Sequence, residues 1–423
     1  MKNLLFLFTV ILFLISCQKK ETPQVVAPEN NQINFGQIDT IYSEILDENR
    51  EVWIHAPRGS FMGSETNHPV LYLLDGPAHF YSVVGMVDQL SNYGNTKLPE
   101  MIIVAIRNTD RTRDLTPTHS MKSPFSSDAS FLKNSGGGEK FNDFIEKELI
   151  PYIDKNYATT PYRTYIGHSF GGLAVINTLL TRPYLFDNYI AIDPSLWWDD
   201  QLLLKKSETL LDKEQYENKS LYLGIANTLA DNIEYETRYK DTTEFSIHMK
   251  SILQFANKVD SFSDNGFQFD WKYYKDDSHN SVPLITEYDG LRFLFSWHDF
   301  KGLNTLYAPD AKISKEDLLN ILNNYSKTLT KHFGYEILPN EDLVNRLGYM
   351  YLGQEKYDLS FAAFELNIQN YPNNTNVYDS MGDYYLGVKD SLKALDLFNK
   401  ALEVGDNNFS QDKIDMLKEN LNL

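Results

Sequence analysis

The sequence predicts an α/β fold, a doubly wound and mostly parallel sheet, followed by an all-α tail of helical repeats. Between residues 34 and 297, apolar runs of strand length alternate with segments of helical periodicity. This alternation is typical of parallel sheets whose strands are connected by helices. A Gly-x-Ser-x-Gly turn at residues 167–171 joins one apolar run to a helical segment. Beyond residue 341, apolar positions recur at an interval of 34 residues, which predicts the helical repeats of the tail.

The predicted elements follow one another in a regular order. Residues 34–46 and 50–57 alternate as half-buried strands do, around a turn-like segment at 47–50. The later strands are apolar almost throughout, as strands buried on both faces are; they are predicted at 69–76, 101–106, 189–193, 221–226 and 267–274. Helices are predicted over 141–150, after residue 172, over 245–255 and over 282–297, and a long polar loop over 107–138.

The turn around Ser169 is the sharpest motif in the chain. Thr164, Tyr165 and Ile166 are strand formers, and apolar residues recur at helical spacing from Leu173 onward. Gly-x-Ser-x-Gly between a strand and a helix is the nucleophile elbow of α/β-hydrolases. The glycines are required because side chains there would collide with neighbouring elements. The simpler alternative is an ordinary glycine-rich turn without chemistry.

A serine hydroxyl needs a base, and the base needs an orienting carboxylate. His279 is the best candidate base because it lies on a polar loop after the last predicted strand. His168 is expected to pack beside the nucleophile, and His248 is expected on a helical surface. The orienting acid is expected after the strand 221–226, with Asp231 as the first candidate and Glu234 and Glu236 next. The pair Ser169–His279 working without an acid remains a further alternative.

Several motifs together resemble a known family. They are Leu73-Leu74-Asp75-Gly76, the Arg107–Pro117 segment, Gly167–Gly172, Pro194-Ser195-Leu196-Trp197-Trp198 and His279–Pro283. Over about residues 30–300 the chain resembles the putative-esterase family, which includes ferric enterobactin esterases, esterase D, feruloyl and acetyl xylan esterases and mycolyltransferases. It is most similar to the enterochelin esterase-like proteins, some of which carry tetratricopeptide repeats. The resemblance implies that Ser169 is the nucleophile and His279 the base.

The sequence departs from the family pattern at two positions. Asn227 ends the strand at which relatives carry an acidic residue, so the acid stays open between the candidates above. Pro77 stands where some relatives donate a backbone N–H to the oxyanion, and proline has no N–H. Besides Phe170 at the helix start, Gly76, Ala78 or a side chain would therefore have to bind the oxyanion.

Other residues are candidates for substrate binding. Trp197 and Trp198 could wall a pocket at the carboxyl edge of the sheet, or belong to the core. Arg107 could bind an anionic substrate, although ion pairs that anchor the loop are the simpler interpretation. The sequence has neither a Cys/His cluster of metal-binding type nor a phosphate-binding glycine loop, so no cofactor or metal is expected.

The formal net charge of −19 argues against binding to nucleic acid or to anionic membranes. The N-terminus predicts a signal peptide over residues 1–16, because Lys2 precedes a short apolar segment. Leu14-Ile15-Ser16-Cys17 resembles a bacterial lipobox, so Cys17 is expected to carry lipid; a plain secretory signal is the alternative. A polar tether over 17–32 precedes the hydrolase domain over 33–300.

The C-terminal part is predicted to be a helical linker over 301–340 followed by tetratricopeptide-like repeats over 341–421. Leu347-Gly348 and Phe364 recur 34 residues later as Met381-Gly382 and Phe398. Such repeats are expected to bind a protein partner or to dock on the hydrolase.

We therefore expect an exported lipoprotein of the bacterial cell envelope, in the periplasm or on the outer membrane, that hydrolyses small-molecule carboxylic esters through an acyl-enzyme. Alternatives are a siderophore esterase specifically, or a non-catalytic surface protein that binds through its repeats.

Overall fold

The computed structural model describes residues 33–57, 67–92, 94–210, 216–241, 246–262, 266–308, 310 and 312–421. Within these residues eight strands form one sheet: β1 (Gln37–Ser43), β2 (Glu48–His55), β3 (His68–Leu73), β4 (Ile102–Ile106), β5 (Thr159–His168), β6 (Asn188–Ile192), β7 (Ser220–Ala226) and β8 (Gln268–Tyr274). Their order is β1-β2-β4-β3-β5-β6-β7-β8. β2 pairs antiparallel with β1 and β4, and all other pairs are parallel. The predicted fold class is confirmed.

The helices connect the strands across both faces of the sheet. They are α1 (Gly76–Ser91), α2 (Arg111–Leu115), α3 (Gly138–Phe144), α4 (Ile150–Asn156), α5 (Phe170–Thr181), α6 (Trp198–Leu210), α7 (Ile247–Asp260) and α8 (Val282–Leu294). A π-helical turn, Ile145–Leu149, joins α3 to α4. Alternate residues of a strand face opposite sides, so Tyr72 belongs to the apolar cluster on the face that α5 and α7 cover, whereas Leu71 belongs to the cluster on the face that α1 and α8 cover.

The segment predicted as a turn and the segment predicted as a polar loop both contain regular structure. Glu48 and Asn49 of the predicted turn lie inside β2. Arg50, predicted both to end the turn and to begin the strand, also lies in β2, and its guanidinium is fully buried. Its Nη1 donates to Asp114 Oδ2 at 2.6 Å, and Asp114 belongs to α2 within the predicted loop. A buried charge is tolerated when it is paired in this way. The ion pair fixes α2 against the sheet, close to the carboxyl ends of the strands.

The C-terminal part is helical: α9 (Leu303–Tyr307), α10 (Lys315–Phe333), α11 (Glu341–Gly353), α12 (Tyr357–Asn370), α13 (Thr375–Gly387), α14 (Ser391–Val404) and α15 (Asn408–Leu421). A Cβ on Gly348 would come within 2.5 Å of the Phe364 ring, and one on Gly382 within 2.4 Å of the Phe398 ring. The same close helix packing therefore recurs in α11–α12 and α13–α14. This supports a repeat, while its assignment as a tetratricopeptide repeat stays a prediction.

The predicted linker contains a helix that packs on the hydrolase part. Phe333 of α10 packs edge-on against Tyr162 of β5, with ring centroids 5.1 Å apart. His332 stacks on Trp297 at 4.3 Å. The helical tail is thus joined to the sheet through a shared apolar core rather than through an extended connection.

In the part of the chain that the structure describes, no helix is both long and apolar enough to cross a membrane. The predicted signal peptide, Cys17 and the tether over 17–32 lie outside the described residues. Their assignment remains a prediction from the sequence.

Candidate active site

Ser169 lies at the turn between β5 and α5, at the carboxyl edge of the sheet. Its backbone has φ 61° and ψ −115°, which is sparsely populated for a residue with a side chain. The backbone holds it there, since Ser169 N donates to Ile192 O at 2.9 Å and its carbonyl accepts from Ser195 N at 3.1 Å. A Cβ on Gly167 would come within 2.5 Å of the Gly171 backbone, so glycine is required at that position. The local geometry is that of a nucleophile elbow.

His279 is held by a carboxylate that ends a neighbouring strand. Its Nδ1 lies 2.6 Å from Oδ2 of Asp193, which directly follows β6 and is fully buried. Oδ1 of Asp193 accepts the Ala226 N–H at 2.9 Å. Burial alone would raise the pKa of Asp193, but the charges and hydrogen bonds of His248 and His279 outweigh it and hold that pKa well below its usual range. An ionised Asp193 can only accept, so His279 Nδ1 donates and Nε2 keeps the lone pair of a base.

The structure corrects the prediction of the acid. It brings Asp193 to the imidazole of His279, whereas Asp231, Glu234 and Glu236 are exposed. The expected neighbourhood of the two loops is correct, because Asn227 N donates to Asp277 O at 2.8 Å. The carboxylate comes from the preceding strand instead. A signal for it existed in the sequence: Asp193 ends an apolar run at the same sheet edge as Ser169.

A second histidine contacts the same carboxylate. Nε2 of His248, on α7, lies 2.8 Å from Asp193 Oδ2, and His248 is 5% exposed. The expectation of a surface position is therefore wrong. His248 precedes Ile252 by four residues and Phe255 by seven, which places it on the apolar face of α7. That spacing was visible in the sequence, but the carboxylate it meets was not.

Asp193, His248 and His279 offer three ligand atoms within 4.8 Å of one another, a donor set that a metal ion could also use. In the structure the two imidazoles instead share the carboxylate through hydrogen bonds. This arrangement has the proton positions needed for base catalysis by His279.

His168 was predicted to pack beside the nucleophile, and in the structure its ring packs against the imidazole of His279. Its ring centroid lies 4.5 Å from that of His279. Burial, reinforced by the neighbouring His279, lowers the pKa of His168 to about 3. It is therefore neutral at physiological pH and forms an uncharged wall beside the base.

Ser169 and His279 border two cavities. The aromatic cavity, of about 330 Å³, is lined by Phe125, Ser169, Phe170, Ser195, Trp197, Thr228, His248 and His279. Of the two predicted tryptophans, Trp197 borders it, packing edge-on against Phe125 with ring centroids 5.3 Å apart. Trp198 is fully buried and donates from Nε1 to Thr118 Oγ1 at 3.1 Å. Trp198 thus belongs to the core, the second of the two alternatives that the sequence left open, and does not line the cavity.

The charged cavity, of about 510 Å³, lies on the other side of Ser169 and His279. Its remaining lining residues are Asp75, Pro77, Ala78, His79, Arg107, Asn108, Arg111, His168 and Asn280. Arg107 borders it while its Nη1 pairs with Glu51 Oε2 at 2.9 Å. Arg111 makes a two-point ion pair with Asp75, at 2.7 and 2.9 Å, and also donates to the His168 carbonyl. Both arginines therefore anchor loops, and their outer surface remains available to a ligand.

His79 faces the same cavity from α1. Its Nδ1 lies 2.8 Å from Oε1 of Glu287, which is fully buried. Burial alone would lower the pKa of His79, but the Glu287 carboxylate outweighs it and raises that pKa. The charged cavity thus gains a further group that readily becomes cationic.

The predicted oxyanion donors differ in their surroundings. Phe170 begins α5, and the first N–H groups of a helix have no carbonyl partner within it. Ala78 N–H already donates to Asp75 O at 2.9 Å, so it is engaged within its own turn. Gly76 begins α1, where Pro77 contributes no N–H. Phe170 and Gly76 remain the candidates, and Ala78 is not supported.

Comparison with known proteins places this chain among esterases. A family model described as "Putative esterase" matches residues 43–277. The ferri-bacillibactin esterase of Bacillus subtilis is 29% identical over 259 residues, covering 58% of this chain and 86% of that protein.

Two solved structures resemble most of the chain. An IroE-like serine hydrolase of Shewanella oneidensis is 31% identical, covers 79% of this chain and 99% of its own, and superposes with a TM-score of 0.61. A protein of Capnocytophaga ochracea is 16% identical and covers 90% of this chain and 99% of its own, with a TM-score of 0.57. That last likeness concerns the fold alone. Because it covers nine tenths of the chain, it extends into the C-terminal helices.

Proposed function

Because this chain belongs to the putative esterase family, we propose that it is a serine esterase in which Ser169, His279 and Asp193 form the catalytic triad. The family match spans residues 43–277, which include Ser169 and Asp193, and His279 follows two residues later. One observation carries the assignment: a backbone-strained serine and a histidine fixed by a buried carboxylate border the same cavities.

The reaction follows from the proton positions. Ser169 Oγ forms a bond to the ester carbonyl carbon while its proton passes to Nε2 of His279. The tetrahedral intermediate collapses, the alcohol leaves with the proton from His279, and the acyl group stays on Ser169. A water molecule then repeats the sequence and releases the acid. Asp193 keeps Nδ1 protonated throughout and stabilises the imidazolium that forms twice in each cycle.

The oxyanion needs donors directed at the position where the negative charge develops. The Phe170 N–H supplies the first from the N-terminus of α5. Gly76 is the second candidate at the N-terminus of α1. Pro77 has no N–H, and the Ala78 N–H already donates to the Asp75 carbonyl. Neither of the two residues after Gly76 can therefore supply a free N–H to the oxyanion.

The two cavities suggest how an ester would lie. Aromatic side chains surround one side of Ser169, which suits an aromatic or apolar group. Arginine and histidine side chains surround the other, which suits a polar or anionic group. Ester hydrolysis of a siderophore is the second candidate function. It is favoured by the similarity to the ferri-bacillibactin esterase and by the cationic groups of the charged cavity.

The envelope location rests on the sequence alone. We propose that Cys17 is lipidated after removal of residues 1–16, so that the tether over 17–32 holds the esterase at a membrane surface. Cys17→Ser protein should move from the membrane fraction to the soluble fraction. Unchanged fractionation with membranes would refute the anchor. The helical tail over 341–421 is proposed to bind a protein partner and to take no part in the chemistry.

The activity is tested with a panel of short aryl and alkyl esters and with ferri-bacillibactin. Ser169→Ala should abolish turnover and labelling by a fluorophosphonate. Ser195→Ala is the matched control, because its Oγ lies only 3.4 Å from that of Ser169. Labelling that persists in Ser169→Ala but is lost in Ser195→Ala would show that the nucleophile is Ser195 and not Ser169. A folded wild-type protein that neither turns over any ester nor reacts with the probe would favour the non-catalytic alternative.

A further inference from the structure

His248 has a contact that the reaction above does not use. Asp193 Oδ2 accepts from two imidazoles at once, from His279 Nδ1 at 2.6 Å and from His248 Nε2 at 2.8 Å. A triad needs only the first of these bonds. The second binds the same oxygen of a fully buried carboxylate, where each hydrogen bond has a large electrostatic effect.

The protonation state of His248 follows from its surroundings. Its Nε2 must carry a proton, because an ionised carboxylate only accepts. Its Nδ1 is buried and has no hydrogen-bond partner among the described residues. A proton on that atom would be a buried donor without an acceptor, which is costly. His248 thus presents one fixed N–H, from Nε2, to the carboxylate.

We propose that His248 is a positioning residue that acts through Asp193. By donating to the shared oxygen, His248 fixes the carboxylate and weakens the attraction of that oxygen for the proton on His279 Nδ1. This inference rests on the triad proposed above and extends it to a fourth residue. Two N–H groups, from His248 and from Ala226, then hold the carboxylate from different elements, α7 and β7.

The consequence is a change in the pH at which the base becomes active. If His248 no longer donates, more negative charge remains on Oδ2 for His279. The protonated form of the base is then favoured, and a higher pH is needed to free Nε2. The other titratable or charged groups around the base come from several elements and are unchanged by the substitution: His168 beside it, Asp277 in its own loop, and Asp75, His79, Arg107 and Arg111 across the charged cavity.

The experiment compares two variants that differ in the N–H. His248→Phe keeps the ring size without a donor, and His248→Gln can place an amide N–H near the position of Nε2. The acidic midpoint of kcat/KM should rise by about 0.5–1 pH unit in His248→Phe, a fraction of the effect of one hydrogen bond to a charged group. His248→Gln should restore most of the wild-type midpoint. At neutral pH, kcat should decrease in His248→Phe with little change in KM.

His332→Gln on α10 is the control for a histidine replaced outside the site, and it should leave the profile unchanged. Equal midpoints in wild type, His248→Phe and His248→Gln would overturn the proposal, as would equal shifts in both His248 variants. If His248→Phe does not fold, low-field proton NMR of wild type and His248→Gln decides. Two imidazole N–H signals in wild type, one of which disappears in His248→Gln, are expected; a single signal that survives the substitution would refute the shared carboxylate.

The outcomes also separate this inference from the proposed function. A wild-type protein without esterase activity would refute the function, while the NMR signals would still test the shared carboxylate. An active wild type and an inactive Ser169→Ala, together with unperturbed His248 variants, would refute only the role of His248.

Discussion

Replacing Asp193 by asparagine tests the corrected acid most directly. The buried carboxylate accepts three N–H groups, from Ala226, His248 and His279. An asparagine amide has one acceptor oxygen, and its NH₂ group can only donate. If the oxygen stays with Ala226, the NH₂ group faces both imidazoles. His279 must then accept at Nδ1 and carry its proton on Nε2, which is the wrong tautomer for a base.

The expected decrease of kcat in Asp193→Asn has a known order of magnitude. Breaking the orientation and tautomer of the base in a serine triad lowers kcat by roughly 10³–10⁴-fold, or about 4–5.5 kcal/mol in activation free energy. KM should change little, because Asp193 is fully buried behind His279 and cannot touch the substrate.

The assay is kcat and KM on one reactive ester, with circular dichroism and thermal unfolding to establish that the variant is folded. Asp231→Asn is the matched control, since it makes the same chemical change on an exposed residue and should keep wild-type turnover. A folded Asp193→Asn variant with kcat within tenfold of wild type would refute the triad. So would a large loss of turnover in Asp231→Asn.

Further predictions concern acid stability, the tryptophans and the helical tail. Folding lowers the pKa of Asp193, so the ionised carboxylate stabilises the fold at neutral pH. This contribution is lost progressively as the pH falls below the pKa of the aspartate in the unfolded chain, about 4. In urea unfolding between about pH 7 and 3, the free energy of unfolding should therefore depend less steeply on pH in Asp193→Asn than in wild type. Trp198→Ala should lower the free energy of unfolding by about 3–5 kcal/mol, whereas Trp197→Ala should mainly raise KM for aromatic esters; the reverse pattern would contradict their placement. Truncation after residue 300 removes α10 from the shared core and should destabilise the hydrolase by roughly 1.5–3 kcal/mol for each large apolar side chain lost. Truncation after residue 340 keeps α10 and should retain ester turnover. Equal stability of the two truncated forms in thermal unfolding would refute the role of α10.

The sequence by itself determined the features that depend on neighbours along the chain. Strand and helix periodicity predicted the parallel sheet, and the Gly-x-Ser-x-Gly turn identified Ser169 because a strained elbow has local requirements. His279 was predicted as the base from chain order and its loop position. The repeat of Gly348 and Phe364 at Gly382 and Phe398 was also visible, because the helix packing recurs at a fixed interval.

The tertiary structure decided which residues from distant segments meet. Asp193 and His279 are 86 residues apart, and the order of strands in the sheet determines that the carboxylate after β6 reaches the imidazole after β8. Helical spacing places His248 on the apolar face of α7, but only the packing of that face shows that it covers Asp193. Likewise, adjacent tryptophans look equivalent in the sequence, and the backbone direction after β6 sends Trp197 to the cavity and Trp198 into the core. Local interactions thus determine elements and turns, whereas the partners of buried polar groups depend on long-range packing, which no single segment of the sequence encodes.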